Sequence, residues 1–104
     1  MAARTITVPS TGIWVPRTFA QDSSDKLDYG IDWTRFLAAG ETISASVWTV
    51  PDEITKSGEG NASGVTSAFV TGGTVGETYE ITNKITTSAG RIKSITFRLT
   101  IEDQ

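Results

Sequence analysis

The chain contains no cysteine and no histidine. Without Cys there is no disulfide framework, no thiolate nucleophile and no Cys-based zinc site. Without His, the commonest general base, proton shuttle and transition-metal ligand is missing. Proline is limited to three residues, and no apolar run approaches the length of a membrane span. The start, Met1-Ala2-Ala3-Arg4-Thr5, has no apolar core of the secretory kind, so a soluble product made in a cytoplasm is expected. Basic residues are also few. Nine Lys and Arg lie scattered against twelve Asp and Glu, for a net charge of −3. No basic stripe forms, so neither nucleic acid nor a membrane is expected as a partner.

What is present points to β structure. The 104 residues suit one domain. Seventeen are Thr and ten are Gly. β-branched side chains fit a pleated surface, and Gly punctuates it. Leu27, Tyr29, Ile31 and Trp33 alternate with polar residues or Gly, as do Ile43, Ala45 and Val47 with Thr42, Ser44 and Ser46. Tyr79, Ile81 and Ile85 share a phase in which Asn83 is the one polar member. Ile95, Phe97, Leu99 and Ile101 alternate with Ser94, Thr96, Arg98 and Thr100. Successive strand side chains face opposite ways, so each pattern reads as a half-buried strand. Strands are expected over 27–33, 42–50, 65–71, 79–87 and 91–102, the last two joined by a hairpin at Thr87-Ser88-Ala89-Gly90-Arg91. The stretch Asp32 to Ala39, closed by Gly40, allows at most one helical turn. Ser57 to Gly64 reads as a loop.

These spacings predict an all-β sandwich or barrel, and Tyr79 points to an immunoglobulin-like β-sandwich over 25–104. Tyr79 stands where such folds place a Tyr at the start of the penultimate strand, its hydroxyl bonded to backbone upstream; Ile81 would take the place of the antibody cysteine. Residues 1–24 read as an N-terminal extension or arm. Pro9 and Pro16 interrupt its strand-like pieces, and Gln21 to Asp25 form a polar hinge. An arm of this kind docks on a neighbour, and the alternative is a first strand of the same domain.

Candidate chemistry is thin. Asp22, Asp25, Asp28 and Asp32 are the densest acidic patch, but the spacing lacks a Gly-centred calcium loop and fits solvated charge. The Ser residues have no activating base beyond scattered Lys. Gly58-Glu59-Gly60 lacks the Gly-Lys-Ser/Thr of a phosphate loop. No catalytic residue, metal ligand or cofactor is expected. Trp33 and Trp48 are expected in the core. Trp14, beside Pro16, is the aromatic best placed for an interface.

Three spaced blocks carry a resemblance. They are Asp25-Lys26-Leu27-Asp28-Tyr29-Gly30-Ile31-Asp32-Trp33 with Leu37 to Val50, Val70-Thr71-Gly72-Gly73-Thr74-Val75-Gly76-Glu77-Thr78-Tyr79, and Ile85-Thr86-Thr87-Ser88-Ala89-Gly90-Arg91. Over about 25–103 the chain resembles the small tailed-bacteriophage proteins known as fiber-tail adaptors or minor virion proteins. The resemblance implies an immunoglobulin-like β fold, no enzymatic activity and a structural place in the virion. The expected role is a tail or neck adaptor linking the tail machine to receptor-binding fibers or spikes. Its partners would be tail, portal/neck or fiber proteins, with self-association in a ring or shell. The alternatives are a capsid decoration protein and a carbohydrate-binding module that uses Trp14 or Trp48. The contact surfaces expected are Trp14 and Pro16 on the arm, Gly58, Gly60 and Asn61 in the loop 57–64, and Ala89, Gly90 and Arg91 at the hairpin tip.

Overall fold

A computed structural model describes residues 5–9, 11 and 17–103. Eight strands follow in chain order: β1 (Thr5–Thr7), β2 (Thr18–Asp22), β3 (Lys26–Asp32), β4 (Ile43–Thr49), β5 (Ile54–Ala62), β6 (Val65–Gly72), β7 (Thr78–Thr87) and β8 (Ile92–Glu102). They make two four-stranded sheets, ordered β1-β3-β6-β5 and β2-β8-β7-β4. The expected β-sandwich is therefore the observed fold. The sequence between β3 and β4 makes one helical turn, in which the Phe36 and Leu37 N–H groups both donate to the Trp33 carbonyl, and then a second turn closed by the Glu41 N–H on the Ala38 carbonyl.

The alternation sets the register. Ile95, Phe97, Leu99 and Ile101 of β8 all face inward and are buried, as are Tyr79, Ile81 and Ile85 of β7. Each fully buried large apolar side chain contributes about 1.5–3 kcal/mol, so a one-residue slip of β8 would forfeit four such contributions together. Trp33 and Trp48 fill the core as expected, with Phe97 packed between the rings of Tyr29, Phe19 and Trp48.

Asn83, the polar member of the β7 phase, lies fully buried between the sheets. Its Oδ1 accepts from Thr66 Oγ1 (2.7 Å) and Trp33 Nε1 (3.3 Å). Its Nδ2 donates to Ser46 Oγ (3.0 Å) and to the Val47 carbonyl (3.2 Å). The amide is thus satisfied on both atoms, and a satisfied buried amide joins elements instead of destabilising them.

Two expectations are corrected. The loop expected over 57–64 is mostly strand β5, and only Ser63 and Gly64 form the turn, both with positive φ (53° and 81°). A two-residue turn of that kind matches the twist of a hairpin. Gly58 does break regularity, but as a bulge. Its φ is 59°, and the pairing with β6 shifts register between Ser57 and Gly60. The polar hinge expected at Gln21 to Asp25 is also partly strand. Gln21 ends up buried because Tyr29 donates a hydrogen bond to its Oε1, while its own Nε2 donates to the Val70 carbonyl (3.2 Å). Within the first 24 residues, β1 runs parallel to β3 and β2 runs parallel to β8, each at the edge of a sheet.

Candidate functional site

Strand directions gather the connections at two ends. At one end lie the β3–β4 connection (33–42), the β5–β6 turn and the β7–β8 hairpin. At the other lie the β2–β3, β4–β5 and β6–β7 turns and the end of β8. Loops that project from a rigid sandwich are the usual bearers of recognition.

The first end is held together by Arg91. Its guanidinium makes a two-pronged contact with Glu41, with Nε at 2.9 Å from Oε2 and Nη2 on Oε1. Nη2 also donates to the Phe36 carbonyl (3.0 Å), and the guanidinium carbon lies 4.3 Å from the centre of the Phe36 ring. Flat, forked guanidinium geometry suits both contacts, which Lys could not reproduce. Glu41 in turn accepts from the Ala38 N–H (2.8 Å). The Arg91 hydrogen bonds come first among the causes that hold the Glu41 carboxyl at a pKa of about 2, followed by Ala38 N–H and the Thr87 hydroxyl. Glu41 is therefore ionised throughout the neutral range and is unsuited to proton transfer there. The hairpin and the 33–42 connection form one body.

Two shallow depressions flank the 38–41 turn. The first, about 390 Å³, is lined by Leu37, Ala38, Ile43 and Thr34 on one side and by Asn61, Ser63 and Gly64 on the other. The second, about 360 Å³, lies between Ala38 to Glu41 and Ser88, Ala89 and Arg91. Their linings are mostly small, apolar or hydroxylic, with Asn61 at the first and the Arg91–Glu41 pair at the second, which suits shape-fitting and hydrogen bonding.

Of the residues singled out in the sequence, the structure brings Asn61, Ala89 and Arg91 to this end, on either side of the 38–41 turn. Gly90 supplies the positive φ (86°) of the hairpin. Gly58 and Gly60 lie back along β5, and a Cβ on Gly58 would stand 3.0 Å from the Phe69 ring. Trp14 and Pro16 lie outside the described residues. Trp48 is buried, so it offers no stacking platform to a sugar. That removes Trp48 from the carbohydrate-binding alternative.

Sequence reasoning missed Glu41 and Phe36, because Arg91 reaches them across 50 and 55 residues and no local spacing announces such a pair. It also missed Phe69, which stays 41% exposed on the outer face with the Lys26 ammonium 5.7 Å from its ring centre. Its place on the outward phase of β6 was legible from alternation with Ala68 and Val70.

The opposite end is acidic. Asp22, Asp25, Asp52, Glu53, Glu77 and Glu102 gather there. Tyr79 pins that end: its hydroxyl accepts from the Thr74 N–H (2.8 Å), five residues upstream, and donates to Glu53.

A family model described as podophage GP4 fiber-tail adaptor protein gp77 matches residues 21–100. No curated protein matches the sequence.

Proposed function

The chain belongs to the podophage fiber-tail adaptor family, and from that premise we propose how it makes its bridge. It is a tail component of a phage virion, and it links the tail to fibers through contacts with other tail and fiber proteins. The end formed by 33–42, 62–65 and 88–91 is the surface offered to one neighbour, with Asn61, Ala89, Gly90 and Arg91 at its rim. The carrying observation is the Arg91–Glu41–Phe36 clamp, which joins the hairpin to the 33–42 connection, while the Trp33 N–H donates to the Gly64 carbonyl (2.9 Å) and ties in the β5–β6 turn, so that the three make one preorganised surface. A preorganised surface loses less conformational freedom on docking. Trp14 and Pro16 are assigned to a second contact, on the strength of an aromatic beside a rigid residue. Gly58 and Gly60 shape the β5 edge.

The sandwich is read as immunoglobulin-like. Three features support this: the order of strands in the two sheets, Trp48 in the core on β4, and the Tyr79 hydroxyl bonded to backbone upstream two residues before buried Ile81. The protein works without enzymatic chemistry, nucleic acid or a membrane partner, consistent with an acidic chain that lacks Cys and His. Self-association in a ring or shell is part of the reading. The Thr-rich outer face of the β2-β8-β7-β4 sheet supports it, since the pairs Thr78–Thr100 and Thr82–Thr96 (both 2.9 Å) present the kind of wet polar surface found at subunit contacts.

A double substitution, Asn61→Arg with Ala89→Arg, tests the assignment. Both residues are exposed, so the fold is retained. The expected result is purified particles depleted in the adaptor or in fibers. Particles with a full complement of both would remove this end from the bridge.

A further inference from the structure

Among the described residues, each sheet ends in two strands that are paired on one side only. The unpaired N–H and C=O groups of such an edge template another strand, and soluble proteins guard against this with charge, proline, bulges or brevity. Three of the four edges here are guarded. β1 is three residues long. β2 has five residues, starts beside Arg17 and ends on Asp22. β5 carries Lys56 and Glu59, joined at 2.6 Å, and its register breaks between Ser57 and Gly60.

β4 is different. Its seven residues include no charge, no proline and no glycine. Its one irregularity falls at the start, between Ile43 and Ala45, and 45–49 pairs regularly with β7. Val47 stands 54% exposed on the outer face beside this edge. Ile92, 62% exposed, lies two strands in, paired with Thr86, which pairs with Ala45. On this face Val47 stands opposite exposed Lys84 and Thr86 separates Ala45 from Ile92, so the uncharged, open edge itself is the feature.

We propose that β4 accepts an extended segment of another virion protein, which adds a fifth strand to the β2-β8-β7-β4 sheet. Main-chain pairing supplies the hold, and alternate side chains supply the selection. The segment is uncharged where it runs beside 45–49, with apolar or β-branched side chains next to Ala45 and Val47. A second copy of β4 is a poorer occupant. Two such edges overlap over about 24 Å at ~3.4 Å per residue, a narrow strip that falls short of the roughly 1,000 Å² a specific interface needs. A segment tethered to a neighbour already in the particle binds at high effective concentration, so a short strand suffices. In that respect the proposal rests on the adaptor reading.

Amide hydrogen exchange, read by mass spectrometry on the free chain and on purified virions, is the test. Peptides covering 43–49 are expected to exchange at least about tenfold more slowly in virions. Val47→Thr, which adds no charge, is expected to be incorporated normally. Val47→Lys, placed on a half-exposed side chain and checked by thermal melting of the free protein, is expected to enter on the order of tenfold fewer particles. Equal exchange at 43–49, or normal incorporation of Val47→Lys, overturns the proposal. So does concentration-dependent dimerisation of the free chain that Val47→Lys abolishes, because the occupant is then a second copy. Virions that hold the chain with 43–49 unprotected overturn the strand proposal alone; virions that lack the chain overturn the adaptor reading with it.

Discussion

Asn83 and the two core tryptophans show how single side chains join the sheets. Trp33 Nε1 donates to Thr66 Oγ1 (3.1 Å) and to Asn83, whereas Trp48 Nε1 is buried without a partner among the described residues. Replacing either ring by Phe removes similar volume, but only Trp33→Phe breaks hydrogen bonds. Trp33→Phe is therefore expected to destabilise by at least about 1 kcal/mol more than Trp48→Phe in urea unfolding. Glu41 gives a second residue-scale prediction. Its carboxyl falls from 4.5 to about 2 on folding, chiefly because Arg91 donates to it. A depressed carboxyl stabilises the fold above its unfolded pKa and loses that stabilisation as pH falls through the folded one. Melting temperature should therefore decline between about pH 4.5 and pH 2, and Glu41→Gln should flatten that part of the profile. An unchanged acid limb in Glu41→Gln would contradict the clamp.

At the level of elements, legibility followed alternation. β3, β7 and β8 were visible because large apolar groups recur at nearly every second position, and β4 and β6 because they fit between turn marks; each lies within two residues of its expected bounds, although the alternating Ala45 and Val47 of β4 prove to be its outward phase and Trp48 its buried one. β5 was not visible. Gly58-Glu59-Gly60 carries turn residues, and only its pairing with β6 makes it a strand. β2 hid for a related reason. Gln21 reads as polar surface until Tyr29 and the Val70 carbonyl supply its partners across the core. Of the candidate site, the hairpin tip was legible from Gly90 and its flanks. The Arg91–Glu41 clamp was not, because long-range ion pairs leave no local pattern. The bulge yields its own prediction. Gly58→Ala must hold a φ of 59° and place a Cβ 3.0 Å from the Phe69 ring. It should cost about 1–2 kcal/mol, read by thermal unfolding, and perturb the exchange of β5 amides first.

The whole molecule is a two-ended object. One end is three connections locked into a shallowly cupped surface that carries Arg35 and Arg91 against Glu41; the other is pinned by Tyr79 and crowded with carboxylates. Between them runs a two-sheet core whose inward side chains are mostly apolar, with Gln21, Thr66, Asn83 and Thr87 as the buried polar exceptions among the described residues. Such a body resists bending between its ends, which is the mechanical requirement on a part that joins two others. The two ends also differ in charge, so a contact made by the acidic end with a basic neighbour should weaken more steeply as salt rises than one made by the 33–42 end, where Arg91 and Glu41 already pair. Cryo-electron microscopy of the intact particle tests the central claim most directly. The account predicts density for an eight-stranded sandwich between tail and fibers, its 33–42, 62–65 and 88–91 end seated against one neighbour. A particle whose tail–fiber junction contains no such density, or holds this chain with that end facing open solvent, would contradict it.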